Sequence, residues 1–446
     1  MKKLTLLSLL LGFTFAVAAA DTNSAAWLTR PLSLTDALNT ALLQNAAILK
    51  AKNDLEAAHG LVVQTRAVAL PQVTAGGKYT DNEITLVQNF PAPGVQSPHQ
   101  DWNAGVQISQ TVYSGGKLVA AIRAAGATQR QALAVYQTAV ADALLNVRLA
   151  YYDVLLAAQQ ITVREASVKL LQKELEDQQH RYDAGTVPHF NVLRAEVSVA
   201  NEKPFLIQAR NGYRIAKNNL ANLLGYNLPR EIWEDIPFNL TDGLDPAPFA
   251  VNLPDAIQQA LGSRTELIAA RQNIELQKLS VVNARSGYKP SVSVFAGYNW
   301  MNSSFSTDVG DKLDGWNAGA QLTWNIFDGA LTAGKITQAK ALYQKSKTDL
   351  DDQSRQIELA VRTAYSDFIQ AKETLESQSK VQEQAAEALR EANARAEAGT
   401  GTQLDVLNAE TSLTQARTTQ ITAQHDYATA RARLERAIGA DLAPAK

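Results

Sequence analysis

Between positions 117 and 183 the chain contains no proline, and Val140, Val147, Val154, Ile161, Val168, Leu175 and Tyr182 recur every seven residues. Seven is the coiled-coil spacing rather than the 3.6-residue average of a straight helix, so the pattern predicts a helix that wraps around its neighbours. Ala143, Ala150 and Ala157 accompany the stripe and let those neighbours approach closely. Gly126 alone interrupts a helix-favouring run of Ala, Leu, Gln, Glu and Arg. At about 1.5 Å per residue such a helix reaches roughly 100 Å, more than a globular domain can hold.

Other stretches alternate with the period of a strand. Over 102–113, Trp102, Ala104, Val106, Ile108 and Val112 share one face, and Asn103, Gly105, Gln107, Ser109 and Thr111 the other. Trp316, Ala318, Ala320, Leu322, Trp324 and Ile326 repeat this against Asn317, Gly319, Gln321, Thr323 and Asn325. Val292, Val294, Ala296, Tyr298 and Trp300 form a third apolar face, and Val73, Ala75, Gly77 and Tyr79 a weaker fourth. Strands of roughly 10 residues with an uncharged polar face fit tilted spans of an outer-membrane barrel. The aromatics Trp102, Trp316, Tyr113 and Phe327 stand near strand ends, where interfacial girdles belong. Four strands cannot close such a barrel, because about eight are needed, so several chains must combine.

These elements occur twice. Leu34-Thr35-Asp36-Ala37-Leu38 returns as Leu253-Pro254-Asp255-Ala256-Ile257, and the match runs on through Arg66/Arg285, Pro71/Pro290, Val73/Val292 and Tyr79/Tyr298 at an offset of 219. Trp102-Asn103-Ala104-Gly105 returns as Trp316-Asn317-Ala318-Gly319, Val147-Arg148 as Val361-Arg362, and Ala184-Gly185-Thr186 as Ala398-Gly399-Thr400, now at 214. The five-residue difference falls between the strands of each pair and marks a surface loop. Each copy reads as a helix closed by Pro71 or Pro290, two strands, and two long helices joined at the Ala-Gly-Thr turn. The boundaries are 32–229 and 251–442 for the copies and 230–250 for a proline-rich connector, with a short strand or helix expected around the middle.

Residues 1–20 carry Lys2 and Lys3, an apolar run over 4–17 and Ala18-Ala19-Ala20, the pattern of a cleavable secretory signal. The run is shorter than the roughly 20 residues of a membrane-spanning helix. The chain contains no cysteine, which argues against disulfides and an acylated N-terminal anchor. Lys and Arg number 42 against 44 Asp and Glu, and a net charge of −2 argues against a nucleic-acid partner. The five histidines, His59, His99, His180, His189 and His425, are scattered, so no metal centre is expected. Asp308, Asp311 and Asp314, set among Gly310, Lys312 and Gly315, read as a solvated loop rather than a Ca²⁺ site. No nucleophile elbow, Walker A or dinucleotide fingerprint occurs, so neither an enzyme nor a cofactor is expected.

The signal, the duplicated order and the paired turns together resemble the TolC family of outer-membrane efflux proteins over nearly all of the mature chain. The most specific motif is Ala398-Gly399-Thr400-Gly401-Thr402-Gln403-Leu404-Asp405-Val406-Leu407-Asn408-Ala409, echoed by Ala184-Gly185-Thr186-Val187-Pro188-His189-Phe190-Asn191-Val192-Leu193-Arg194-Ala195. The resemblance implies a mainly α chain with a membrane β-barrel: a homotrimer with a twelve-stranded barrel in outer-membrane lipid, continued by a twelve-helix coiled-coil tunnel across the periplasm. It implies docking onto a periplasmic adaptor (membrane fusion) protein and an inner-membrane pump, with Gly185, Thr186, Gly399 and Thr400 at the docking tips. It places Asp405, Asn408 and Asn191 at the periplasmic aperture. Asn408 replaces a second family acid, and Gly401 and Ala396 stand where some members carry an Arg and a Tyr that help hold the aperture shut. Asp405 also fits a helix N-terminus, where the macrodipole favours a carboxylate, and both roles can hold together. The function implied is a passive duct of an efflux or type I secretion system, gated at its periplasmic tip. A trimeric adhesive coiled coil is the alternative, and a diffusion porin would leave the helical hairpins unexplained.

Overall fold

The computed structural model describes residues 31–86, 99–226, 236–244, 249–303, 308 and 310–440. The expected signal at 1–20, Pro229, Pro246 and Pro248 of the connector, and 87–98 of the first variable loop lie outside the described residues.

The two longest helices form where proline is missing. Helix α3, Lys117–Asp183, has the bounds expected from the pattern, and α7, Leu331–Glu397, is its equal at 67 residues. Each is followed by a shorter helix, α4 (His189–Leu223) and α8 (Gln403–Ile438). The heptad stripe of α3 is buried at Val147, Val154 and Val168, but its last member, Tyr182, is exposed. Beyond Val168 the buried position of α3 is Gln178, off the stripe.

Each half opens with two helices rather than the expected one: α1 (Leu34–Gln44) and α2 (Ala46–Ala67), then α5 (Leu253–Ser263) and α6 (Thr265–Arg285). Asn45 makes the first break. Its backbone is extended, its side-chain oxygen accepts from the N–H groups of Ala47 and Ile48, and its amide donates to the Leu223 carbonyl at the end of α4 (2.6 Å). Arg264 makes the second break with the same backbone angles and no side-chain cap of its own helix. Its guanidinium instead donates to the carbonyls of Arg436 and Ala437, 3.3 and 3.1 Å away at the end of α8. Two different side chains thus satisfy the orphan carbonyls of the helix that closes each half. Gly225 and Gly439 let the chain leave those ends, at φ +79° in both; a Cβ there would meet the Gln44 carbonyl at 2.3 Å and the Ser263 hydroxyl at 2.6 Å.

Pro71 and Pro290 do not end the opening helices directly, because α2 stops at Ala67 and α6 at Arg285, followed by a 3-10 turn at Ser286–Tyr288. Proline excludes helical angles from the residue before it as well, so the helix must finish earlier. The prolines stand instead just ahead of β2 (Gln72–Asp81) and β5 (Ser291–Asn302). With β3 (Gln100–Ser114) and β6 (Lys312–Thr323) these make a four-stranded antiparallel sheet in the order β2-β3-β5-β6.

The register aligns the alternating faces. Tyr79 pairs with Trp102, Val106 with Tyr298, Tyr298 with Trp316, and Val292 with Leu322. A bulge between Thr111 and Tyr113 makes Tyr113, not Val112, the partner of Val292. Strand β6 ends at Thr323, paired with Ser291, so Trp324 and Ile326 lie beyond the ladder rather than in it. Pro290 precedes Ser291 and has no N–H to extend the pairing.

The connector's described part supplies a short β4 (Asn239–Leu240), which pairs in parallel with β1 (Pro31–Leu32). Ile236, Phe238 and Leu244 pack with Leu32, Leu38, Leu144, Tyr151 and Leu220 into one core. A second core joins Leu267, Ile357, Val361, Phe368, Tyr427 and Leu434 in the other half. A third lies toward the hairpin tips, around Leu389, Val406 and Leu413, with Leu170 and several alanines against it.

Candidate functional site: the hairpin tips and the seam between them

Both hairpins turn in the same way. Gly185 and Gly399 adopt φ +72° and +74°, and nothing stands within 4 Å of where a Cβ would project. Backbone angle rather than space therefore calls for glycine at these tips. The Thr186 N–H donates to the Arg181 carbonyl at 2.8 Å and the Thr400 N–H to the Arg395 carbonyl at 2.9 Å, with each threonine hydroxyl donating to the same carbonyl. Gly401 is tight for a different reason, since a Cβ there would come within 2.9 Å of the Arg395 Cβ. Ala396 packs with the apolar tip core.

Asp405 closes a capping box at the start of α8. Its Oδ2 accepts from the Thr402 N–H (2.9 Å) and hydroxyl (2.7 Å), while its own N–H donates to the Thr402 hydroxyl (3.3 Å). The Thr402 hydroxyl and then its backbone N–H, with Arg395 nearby, hold the carboxyl below the ordinary carboxylate value. Asp405 is therefore ionised, exposed and fixed in direction. Asn408, one turn further on, is also exposed. Asn191 is the counterpart of Asp405 in α4, whose N-cap residue Pro188 makes no side-chain cap. The Gln403 amide donates to the Asn191 carbonyl at 3.2 Å, bringing the two tips together.

The helices α3 and α8 line the seam between the hairpins, and side chains cross it at successive levels. On the sheet side Arg436, which is 7% exposed, donates to Asp142 (2.8 Å) and to Glu266 of α6 (2.8 Å), and Arg264 grips the same Glu266 (2.7 and 2.9 Å). Burial pushes the Glu266 carboxyl up, but the hydrogen bonds from Arg264 and Arg436 outweigh it and bring it to about 2. Arg148 reaches Glu435 at 2.5 Å, and His425 meets Asp153 at 2.8 Å. Burial opposes the charge on His425, yet Asp153 and Asp426 raise its value above the ordinary one. Further toward the tips the rungs become neutral, with the Thr414 hydroxyl donating to the Ser167 hydroxyl at 3.2 Å.

The rung nearest the tips was not foreseen. Glu410 of α8 is buried at 4% exposure, faces Glu174 of α3, and its Oε2 has no hydrogen-bond partner. A second unforeseen residue is Phe295, an aromatic on the otherwise polar face of the sheet, whose ring lies over Gly319. On that face the Asn299 side-chain amide donates to the Asn317 Oδ1 at 3.0 Å. The opposite face leaves Val106, Ile108, Val294, Tyr298, Trp316 and Leu322 exposed. Among the described residues no helix is long and apolar enough to cross a membrane, and no cluster of three or more metal-binding side chains occurs.

The family described as outer membrane efflux protein matches residues 37–226 and 256–440. The chain is 26% identical over 437 residues to the outer membrane protein TolC of Vibrio cholerae, covering 95% of this chain and 94% of that one. It is 25% identical over 294 residues to the alkaline protease secretion protein AprF of Pseudomonas aeruginosa, covering 66% and 60%. Its fold resembles the outer membrane protein VceC of Vibrio cholerae (TM-score 0.76, 21% identity, 92% and 96% covered) and the open-state MtrE channel of Neisseria gonorrhoeae (0.74, 20%, 92% and 89%). The chain with its exposed apolar sheet and paired helical hairpins therefore belongs to the outer membrane efflux protein family, Gram-negative outer-membrane channels that extend into the periplasm and are not enzymes.

Proposed function

We propose that three copies of this chain close one twelve-stranded barrel in the outer membrane, and that their twelve long helices continue it as a periplasmic tunnel gated at the hairpin tips. The observation that carries this reading is the open sheet. Its edge strands β2 and β6 have no partner within the sheet beyond β3 and β5, while its apolar face is exposed from Val73 to Leu322. Unpaired strand edges are not tolerated in hydrocarbon, so closure by further copies satisfies both the edges and the outward face. Relatives named for protease secretion and for efflux support a duct in a type I secretion or efflux assembly, with an adaptor and an inner-membrane pump as partners. The adaptor would meet the turns at Gly185-Thr186 and Gly399-Thr400. Family membership sets aside the adhesive alternative, and the domain limits 32–229, 230–250 and 251–442 are proposed as the functional units, after a signal at 1–20.

At the gate, threefold symmetry would set three Asp405 carboxylates around one opening, with Asn408 and Asn191 as neutral neighbours. A ring of fixed negative charge attracts cations and binds multivalent ones. In planar bilayers Asp405→Asn should lower cation selectivity and relieve block by a trivalent cation added on the periplasmic side. Equal block in the two proteins would overturn the ring and leave Asp405 as a helix cap alone.

A further inference from the structure

The long α3–α8 seam is bridged by opposite charges near the sheet and by hydroxyls further down, yet its last rung places a carboxylate against a carboxylate. Glu174 lies eleven residues before Gly185 and Glu410 eleven after Gly399, about 16 Å from either tip along the helix. Both belong to the inward surface of their helices. Glu410 is buried, and its Oε2 is sealed from solvent with no hydrogen bond, as are the Oε1 atoms of Gln178 and Gln403. Gln178, also 4% exposed, donates its amide to Glu174 at 2.9 Å, and Gln403 bonds the same carboxyl. An ionised buried carboxylate without a partner is costly, and a second carboxylate facing it makes it more so.

We propose that Glu410, facing Glu174, forms a proton-operated catch between the two hairpins: with Glu410 protonated the seam is closed at the tip, and loss of that proton drives α8 away from α3 and widens the aperture. The proposal rests on the gate lying at the tips. It concerns different residues from the Asp405 ring.

The surroundings make the pair sensitive to its own charge. Burial and then Glu174 push Glu410 up to about 7, and burial raises Glu174 as well, against the hydrogen bonds of Gln178 and Gln403. The other charges around the pair belong to α3, where Asp177 opposes and Arg181 favours ionisation of Glu174. From α7 come Leu389, Ala385 and Ala386, while its charges Glu387 and Arg390, and Glu391 and Arg395, pair with each other on the exposed side. From α4 comes the Asn191 carbonyl, already held by Gln403, and Arg164 further up α3 is tied to Glu202. Arg417, one heptad beyond Glu410 on α8, does not contribute to its shift. The duplication does not reproduce the catch, because the positions equivalent to Glu174 and Glu410 are Ala388 and Glu196.

The sign follows from linkage. A carboxyl raised from 4.5 to about 7 in the closed seam stabilises closure fully below 4.5, and that stabilisation disappears as pH rises through about 7. For each catch the open-to-closed ratio should rise by up to about tenfold per pH unit across this window. The test is single-channel conductance of the purified full-length channel in planar bilayers, with periplasmic-side pH stepped from about 5 to about 8. Wild type should open with rising pH. Glu410→Gln, nearly isosteric, should stay closed and flat, and Glu174→Gln should move the midpoint to lower pH. Because the chain has no native cysteine, Ser167→Cys with Thr414→Cys supplies a second reading. The disulfide should abolish the response, and reductant should restore it. Asp405→Asn should leave the midpoint where it is, so failure of the charge ring and failure of the catch are separable. A flat wild-type profile, an unchanged profile in Glu410→Gln, or a midpoint that moves on adding a chelator would each overturn the proton catch.

Discussion

The two ends of the α3–α8 seam use the same pair of helices for opposite purposes. On the sheet side, Arg436 is almost fully enclosed and touches Asp142 and Glu266 at once, so every buried charge there has its opposite. Some 32 residues further along α3, Glu174 faces Glu410, and the carboxyl of Glu410 has no cation bonded to it. An arginine fork between carboxylates fixes direction as well as distance. Two carboxylates do the reverse, since their contact is tolerated only while one is protonated. The difference teaches where this molecule is rigid and where it can part: the hairpins are clamped near the sheet, and near the tips the proposed catch holds them conditionally.

The largest test of that contrast is to remove the clamp. Arg436→Ala leaves Glu266 buried with one arginine instead of two, and breaking a buried pair costs about 3 kcal/mol or more. Thermal unfolding of the detergent-solubilised channel should register this, whereas Glu410→Leu should be neutral or stabilising. Equal destabilisation by both would erase the distinction between the two ends.

Acid should act on the two ends in opposite directions. Glu266 is lowered to about 2, so its contribution is present above about 4.5 and is lost as pH falls through about 2, while the tip catch tightens over the higher part of that descent. The fall in melting temperature between pH 5 and pH 2 should be shallower in Glu266→Gln, by an amount worth at most about 3 kcal/mol. An identical acid slope in mutant and wild type would break this part of the comparison.

The smallest effect is expected midway. His425 is raised by Asp153 and Asp426 against the opposing effect of burial, so its contribution is complete below 6.5 and fades as pH rises past its raised value. Both acids are more than half exposed, which limits the gain to about 1 kcal/mol. His425→Gln should therefore lower stability slightly at pH 6 and not at pH 9. A penalty independent of pH would show that packing, not charge, is what His425 supplies.

Much of this architecture was legible along the chain. The absence of proline accounts for the unbroken length of α3, because nothing local stops a helix there. The alternation from Trp102 to Ile108 anticipated the outward face, since strand geometry sends every second side chain the same way. Asp405 reads as a helix N-terminal residue, and it does stand in the first turn of α8. Less legible were the breaks that divide each opening helix. Asn45 has a local capping signal, but Arg264 breaks its helix by reaching carbonyls at the end of α8, 172 and 173 residues away.

The sequence by itself determined the elements, their duplication, the turn glycines and the outward apolar face, because each depends on periodicity and on backbone angles that neighbouring residues impose. Tertiary structure alone decided which charges meet. Glu174 and Glu410 are 236 residues apart, and each sits among ordinary helical residues whose pattern says only which side is inward. The burial of Glu410 facing Glu174, like the enclosure of Arg436 by two acids, exists only once α3 and α8 lie side by side, since the energy of a charge depends on what replaces its water.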